Sequence, residues 1–164
     1  ASQIGLFSTT EIGYLSPTEI AAMTVTQLGG LVRMQLRSLS DTQLGALSST
    51  QIASLSSTQA GNLSFTELNN LTTTQFAALT ATQFSGMTPG QLSNLNIDKL
   101  HMLSGDQLSG LTSTQVSGLT PTMIANLTVD EIMALNADQI SGLSTTQLAN
   151  ISPEQLAAFY AAVS

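Results

Sequence analysis

Leu111-Thr112-Ser113-Thr114-Gln115-Val116-Ser117-Gly118 is one instance of a phrase that the chain repeats from end to end. Stepping by eight from Phe7 gives Leu15, Met23 and Leu31, and the column runs on in constant register through Leu111 to Ile151 and Phe159. Every member is large and apolar. A second apolar column stands five residues further on, from Ile4 and Ile12 through Val116 to Leu148 and Leu156, with Ala60 its one small member. A period of eight suits no continuous helix, because the apolar stripe would drift by about 80° per repeat. It suits no strand either, since an odd spacing puts the two columns on opposite faces.

The polar positions decide the fold. The residue after each first-column apolar is Ser, Thr or Asn from Ser8 to Ser152, with Val32 the exception. Three residues later stands Gln or Glu, apart from Lys99 and Met123. That is the capping box, in which two helix-start donors are satisfied reciprocally, and the flanking apolar residues form its hydrophobic staple. Pro17, Pro89, Pro121 and Pro153 all fall at the first helical position, where a missing N–H costs nothing. All ten acidic residues lie in the first three helical positions, where the helix dipole favours negative charge. Gly86, Asn94, Gly110, Gly118, Asn126 and Gly142 precede first-column residues and suit a left-handed helix stop.

Each octad therefore reads as one helix of about five or six residues, roughly 8 Å long. Isolated helices become marginal below about 12–15 residues, so these must be held by stacking, as in a solenoid. The expected fold is an all-α solenoid or superhelix of about twenty very short capped helices, one per octad, forming a single repeat domain over residues 1–164. Small residues before the first column, as in Gly29-Gly30 and Ala77-Ala78, let backbones approach. A longer step of 32 residues is layered on the octads. Thr88-Pro89 recurs as Thr120-Pro121, Asn94-Leu95 as Asn126-Leu127 and Asp106-Gln107 as Asp138-Gln139. It predicts four octads per coil, or a divisor of four, with these residues stacked in columns.

The octad L-[ST]-x-x-[QE]-[LIVF]-x-x resembles the short tandem repeats of large exported bacterial proteins of adhesin-like type. The resemblance covers essentially the whole chain and implies a surface or extracellular setting on a bacterium. Its motif is structural and carries no catalytic residue across.

Composition narrows the function. The 164 residues contain only three cations, Arg33, Arg37 and Lys99, and the net charge is −7. Phosphate backbones and anionic membrane surfaces both need clustered Lys and Arg, so nucleic acid is not an expected partner. No apolar run approaches the roughly 20 residues that span a bilayer, so no membrane insertion is expected. The absence of Cys removes disulfides, thiolate metal sites and Cys nucleophiles. No nucleophile–base pair, phosphate loop or metal cluster emerges, so the expectation is a non-enzyme without cofactors or metals.

A few residues stand out against the repeat. Arg33 and Arg37 share the one octad without a cap, and read either as a contact for an acidic partner or as a solvated pair in a decayed repeat. His101 is the only histidine and lacks a second His or Cys to share a metal. Asp98, Asp106, Asp130 and Asp138 would form two columns in a four-octad coil. Calcium favours such ligands, but so does the dipole of a helix start, and the calcium-loop spacing is missing. The Ser/Thr-x-Thr triplets, such as Thr72-Thr73-Thr74, offer a regular hydroxyl face for glycan, ice or protein, although their first hydroxyl is needed as a cap.

At the ends, Ala1, Gln3 and Ile4 occupy the first helical, capping-box and staple positions of an octad whose cap is missing. Val163-Ser164 supplies an apolar residue and a capping type. Joined end to start, Val-Ser-Ala-Ser-Gln-Ile opens a well-formed octad, and Phe159 and Tyr160 add an apolar surface nearby. The expected function is thus a rigid spacer or head-to-tail filament subunit outside a bacterial cell. The same join would also follow from excision out of a longer array. A binding module using the Thr-rich or small-residue face is the alternative.

Overall fold

The computed structural model describes residues 4–162. Among them are a short 3-10 turn at Ile4–Leu6 and nineteen α-helices, with no strand. The helices are four to six residues long from Thr9–Tyr14 to Thr145–Leu148, and a longer one, Pro153–Ala162, comes last. The fold is the all-α solenoid expected from the octads.

Each helix starts as the sequence dictates. Thr112 is extended (φ −78°, ψ 157°), which ends the preceding helix and turns its hydroxyl inward. Its Oγ1 accepts the Gln115 amide at 3.2 Å, and Gln115 Oε1 accepts the Thr112 N–H at 2.7 Å. This reciprocal pair recurs from Ser8–Glu11 to Ser152–Gln155. Val32 has no side-chain acceptor, so only half the box forms there, from the Val32 N–H to Gln35 Oε1 at 2.9 Å. Short-range bonds from most first-column N–H groups to the second-column carbonyl, such as Leu119 to Val116 at 3.1 Å, close the last turn, while Leu71 bonds Glu67 O instead. Both apolar columns then face one continuous core, with Phe76 and Phe84 edge to face inside it at 5.8 Å.

The left-handed stop does not occur. No residue among those described has a positive φ, and Gly86, Gly110 and Gly118 sit in the ordinary right-handed region. The chain goes straight from a helical residue into the next extended cap. Glycine is needed here for proximity. A Cβ on Gly110 would stand 2.6 Å from Ala81 Cβ, one on Gly118 2.6 Å from Pro89 Cβ, and one on Gly61 or Gly86 would overlap backbone of the adjacent coil.

A coil of four whole octads also does not occur. The strongly packed helix pairs are three octads apart, for example Pro17–Ala21 on Asp41–Gly45 and Ser113–Ser117 on Ala137–Ser141. The glutamine bonds between coils span 28, 30 or 31 residues, and the other side-chain bonds between coils 25 to 28. A coil therefore holds between three and four octads, and each helix lies over the seam between two helices of the coil before it. Side chains interdigitate better in that offset than directly above one another. The 32-residue step overshoots one coil, so Asp98 and Asp130, or Asp106 and Asp138, are not stacked in vertical columns.

The last helix breaks the octad. Tyr160 stands where a cap belongs and cannot act as one, and Ala157, Ala158, Ala161 and Ala162 favour continuing the helix. Phe159 and Ala158 turn into the core while Leu156 becomes 40% exposed.

Candidate functional site

Two features rise above the repeat: a ladder of glutamines inside it and a cleft on its surface. The ladder comes from the second end of the capping-box side chain. Gln115 Oε1 caps its own helix, and its Nε2 reaches into the previous coil to donate to Phe84 O at 2.8 Å and Met87 O at 2.6 Å. Those carbonyls belong to a helix end, which keeps only short-range bonds such as that from the Met87 N–H at 3.0 Å, and to the residue before the next cap, which has no local donor. Rungs of this kind begin at Gln35, on Ile4 O and Phe7 O, and reach Gln155, on Ala125 O and Leu127 O. These glutamines are buried, and no buried side-chain polar atom among the described residues lacks a partner.

The irregular octads are rungs of other chemistry. Lys99 donates its Nζ to Leu71 O at 2.6 Å and lies 4.9 Å from the centre of the Phe76 ring. Burial holds its ammonium below the usual lysine range, with the nearby Asp98 charge opposing the effect. A lysine cannot accept the cap N–H, and Asn69 of the preceding coil takes over. Its Oδ1 accepts from Asn96 N at 2.9 Å while its Nδ2 donates to Asn94 O at 2.9 Å. At Glu131 the rung is acidic and cannot donate to a carbonyl. Its Oε1 instead lies 3.5 Å from His101 Nδ1, which gives the lone histidine a structural neighbour. Met123 supplies neither donor nor acceptor.

The cleft, of about 580 Å³, is lined by Arg33, Arg37, Ser64, Phe65, Thr88 and Asn94, and a Cβ on Gly90, which also lines it, would meet almost nothing. Arg37 is anchored by its Nε to Asn62 O at 2.8 Å. The Arg33 side chain makes no hydrogen bond among the described residues, and neither arginine pairs with a carboxylate there. Phe65, the first residue of its helix, is 48% exposed. A second cleft of about 410 Å³, lined by Ser93, Leu95, Ile97, Thr120, Thr122, Met123 and Asn126, is the same place one 32-residue step later. Gly61 corresponds to Ser93, Phe65 to Ile97, Thr88 to Thr120 and Asn94 to Asn126. The long repeat in the sequence therefore marks recurring surface clefts. Only the first has cations, because Phe65 and Asn69 take the places of Arg33 and Arg37 in the second.

The other singled-out residues are dispersed. Asp98, Asp106, Asp130 and Asp138 are exposed at helix starts, and no group of three or more His, Cys, Asp or Glu side chains converges among the described residues. In the Thr72-Thr73-Thr74 triplet, Thr72 Oγ1 is committed to the Gln75 amide, while Thr73 and Thr74 are exposed. Of the residues expected at a head-to-tail contact, Ile4 is buried and its carbonyl accepts from Gln35, Phe159 is 4% exposed within the core, and Tyr160 is 66% exposed. Ala1, Gln3, Val163 and Ser164 lie outside the described residues.

Reading the residues alone missed the ladder, although a signal was present. Glu serves a capping box as well as Gln and suits the helix dipole better. The prevalence of Gln at this position demanded a use for its N–H₂. No helix among the described residues is long and apolar enough to cross a membrane. The chain matches no protein-family model, and no curated protein has a significantly similar sequence.

Proposed function

We propose that the protein is a structural, non-enzymatic element: a rigid spacer, or a subunit stacked head to tail into a filament, on the exterior of a bacterial cell. The observation that carries this reading is the run of inter-coil rungs from Gln35 to Gln155. Each buried rung ties a helix start in one coil to a helix end in the coil before it. Pulling the coils apart exchanges these bonds for water, at about 0.5–1.5 kcal/mol net for each. Rungs of that kind favour stiffness along one axis.

The end coils support the filament form. Ile140, Leu143, Leu148 and Ile151 are only half-buried in the last coils, and Leu6 and Tyr14 are 85% and 84% exposed in the first. One more coil at either end would cover such residues, and the proposal assigns that coil to a second copy. The bacterial, adhesin-like setting rests on the resemblance of the octad. Electron microscopy of the purified chain over a rising concentration series tests the assembly. Filaments of constant width that lengthen with concentration support it, and monomers alone at the highest concentration contradict it.

A further inference from the structure

The arginine cleft has the makings of a ligand site that the mechanical reading does not use. In a chain of net charge −7, both arginines line the same cleft, and neither has a carboxylate partner among the described residues. The remaining polar groups of the wall are largely committed. Thr88 Oγ1 and Gln91 Oε1 bond each other at 2.9 Å, Gln91 Nε2 is spent on Leu63 O, and Asn94 Nδ2 donates to Gly90 O at 2.8 Å. Uncommitted side-chain donors therefore come from Arg33, from the terminal nitrogens of Arg37 and from the Ser64 hydroxyl, and only the arginines are charged. Across from them stands the half-exposed ring of Phe65. A volume of about 580 Å³ falls in the range of small-molecule sites, roughly 300–1,000 Å³.

We propose that this cleft binds an amphiphilic oxyanion, with a carboxylate or phosphate head on the Arg33 and Arg37 guanidiniums and an aromatic or short aliphatic body against Phe65. Guanidinium forks match the paired oxygens of both heads and hold them by charge-assisted hydrogen bonds. The ring supplies apolar area for that body at low entropic cost. Gly90 leaves room where Thr122 stands in the second cleft. That second cleft has the same framework with Ile97 and no cation, so the molecule contains its own control. The inference stands independently of the filament, because it concerns the flank of the solenoid.

Two-dimensional NMR of the whole chain, titrated with 4-phenylbutyrate and separately with phenyl phosphate, tests it. Both probes are expected to shift the Arg33 and Arg37 side-chain N–H signals and the Phe65 amide, while Ile97 and Thr120 stay in place. The tighter probe identifies the head group. The uncharged 4-phenylbutanamide is expected to leave all of these signals unmoved, and inorganic phosphate alone to bind at least about tenfold more weakly than phenyl phosphate. Arg33→Gln removes a side chain without a folded-state partner, so it should keep the melting temperature and weaken binding about tenfold or more. Arg37→Gln also loses the Asn62 contact, so Arg33→Gln decides. No shift at millimolar probe, equal shifts with the amide, equal shifts at Ile97, or undiminished binding by Arg33→Gln would each overturn the proposal. Phosphate binding as tightly as phenyl phosphate would overturn the part played by Phe65.

Discussion

Gln83 and Leu55, 28 residues apart, are joined by a 2.7 Å hydrogen bond from the Gln83 Nε2 to the Leu55 carbonyl, and the same amide reaches Ile52 O at 2.8 Å. Its Oε1 meanwhile accepts from the N–H of Thr80 at 2.8 Å. One side chain thus starts its own helix and finishes another a coil away. Gln83→Glu keeps the acceptor and turns the donor into an oxygen facing two carbonyls. It should lower stability by about 1–3 kcal/mol. Gln27→Glu is the control, because Gln27 also caps its helix, at 2.8 Å to Thr24 N, but makes no inter-coil bond among the described residues. Its unfolding free energy from urea titration should stay within about 0.5 kcal/mol of the parent. Equal losses for the two would reduce the glutamines to caps.

The natural acidic rung at Glu67 makes the reverse prediction. It is buried and bonds Ser64 N, and the carbonyls that a glutamine there would reach are those of Leu36 and Leu39. Glu67→Gln should raise stability by about 1–2 kcal/mol, read as a higher urea midpoint at unchanged slope.

Lys99 and Asn69 form a compensating pair. Asn69→Ala should cost about 1–2 kcal/mol in the parent, since the Asn96 N–H and the Asn94 carbonyl both lose a partner. In a Lys99→Gln background the introduced amide can accept the Asn96 N–H, so the same change should cost less. A double-mutant cycle should give coupling of about 1 kcal/mol. The pH dependence has a definite sign. Burial lowers the Lys99 pKa in the folded chain, so the unfolded chain binds the proton more tightly. The charging cost is present at neutral pH and is relieved as pH rises toward the ordinary 10.5. The stability difference between Lys99→Gln and the parent should therefore shrink on the alkaline side.

Gly86 and Gly45 should respond oppositely to alanine. A Cβ at Gly86 meets the backbone of Ser57, so Gly86→Ala should destabilise by about 1–3 kcal/mol. Nothing lies within 4 Å of a Cβ at Gly45, inside the helix Asp41–Gly45, so Gly45→Ala should stabilise by about 0.5–1 kcal/mol. Thermal unfolding of the two variants side by side separates close approach from mere helix propensity.

Glu11 and Glu19 tie the first coil to pH. The backbone N–H groups of Ser8 and Ser16, at 2.7 and 2.8 Å, and then their hydroxyls hold both carboxyls below the ordinary 4.5. The folded pKa values are depressed, so the capping stability is present above 4.5 and is lost as pH falls through the folded values. NMR of the Ser8 and Ser16 amides should show these helices fraying in acid before the glutamine-capped helix at Asp41–Gly45 does.

The helices themselves were legible because everything that starts one lies within a single octad. Cap, first-position proline and Gln or Glu are local, so the reading carries from Ser8 to Ser152. Coil geometry depends on which helix ends meet, and that information is spread over 24 to 31 residues. The 32-residue recurrence of Thr88-Pro89 and Asn94 was visible, but it marks repeated clefts rather than a coil of that length. The glycines misled because two physical uses, positive φ and close approach, look identical in sequence. Arg33 and Arg37 were conspicuous as a pair of cations, whereas their link to Phe65 and Thr88 needed the stacking. The burial of Phe159 follows from its place in the first column, whereas the helix that runs on through Tyr160 departs from the octad.

Hydrogen exchange of the side-chain carboxamides, followed by NMR in the parent chain, bears most directly on the ladder. Gln35, Gln83, Gln115 and Gln139 each give an amide to two carbonyls of the previous coil, so their Nε2 protons should exchange far more slowly than those of Gln27. Exchange at Gln83 as fast as at Gln27 would show that the rungs do not hold the coils together.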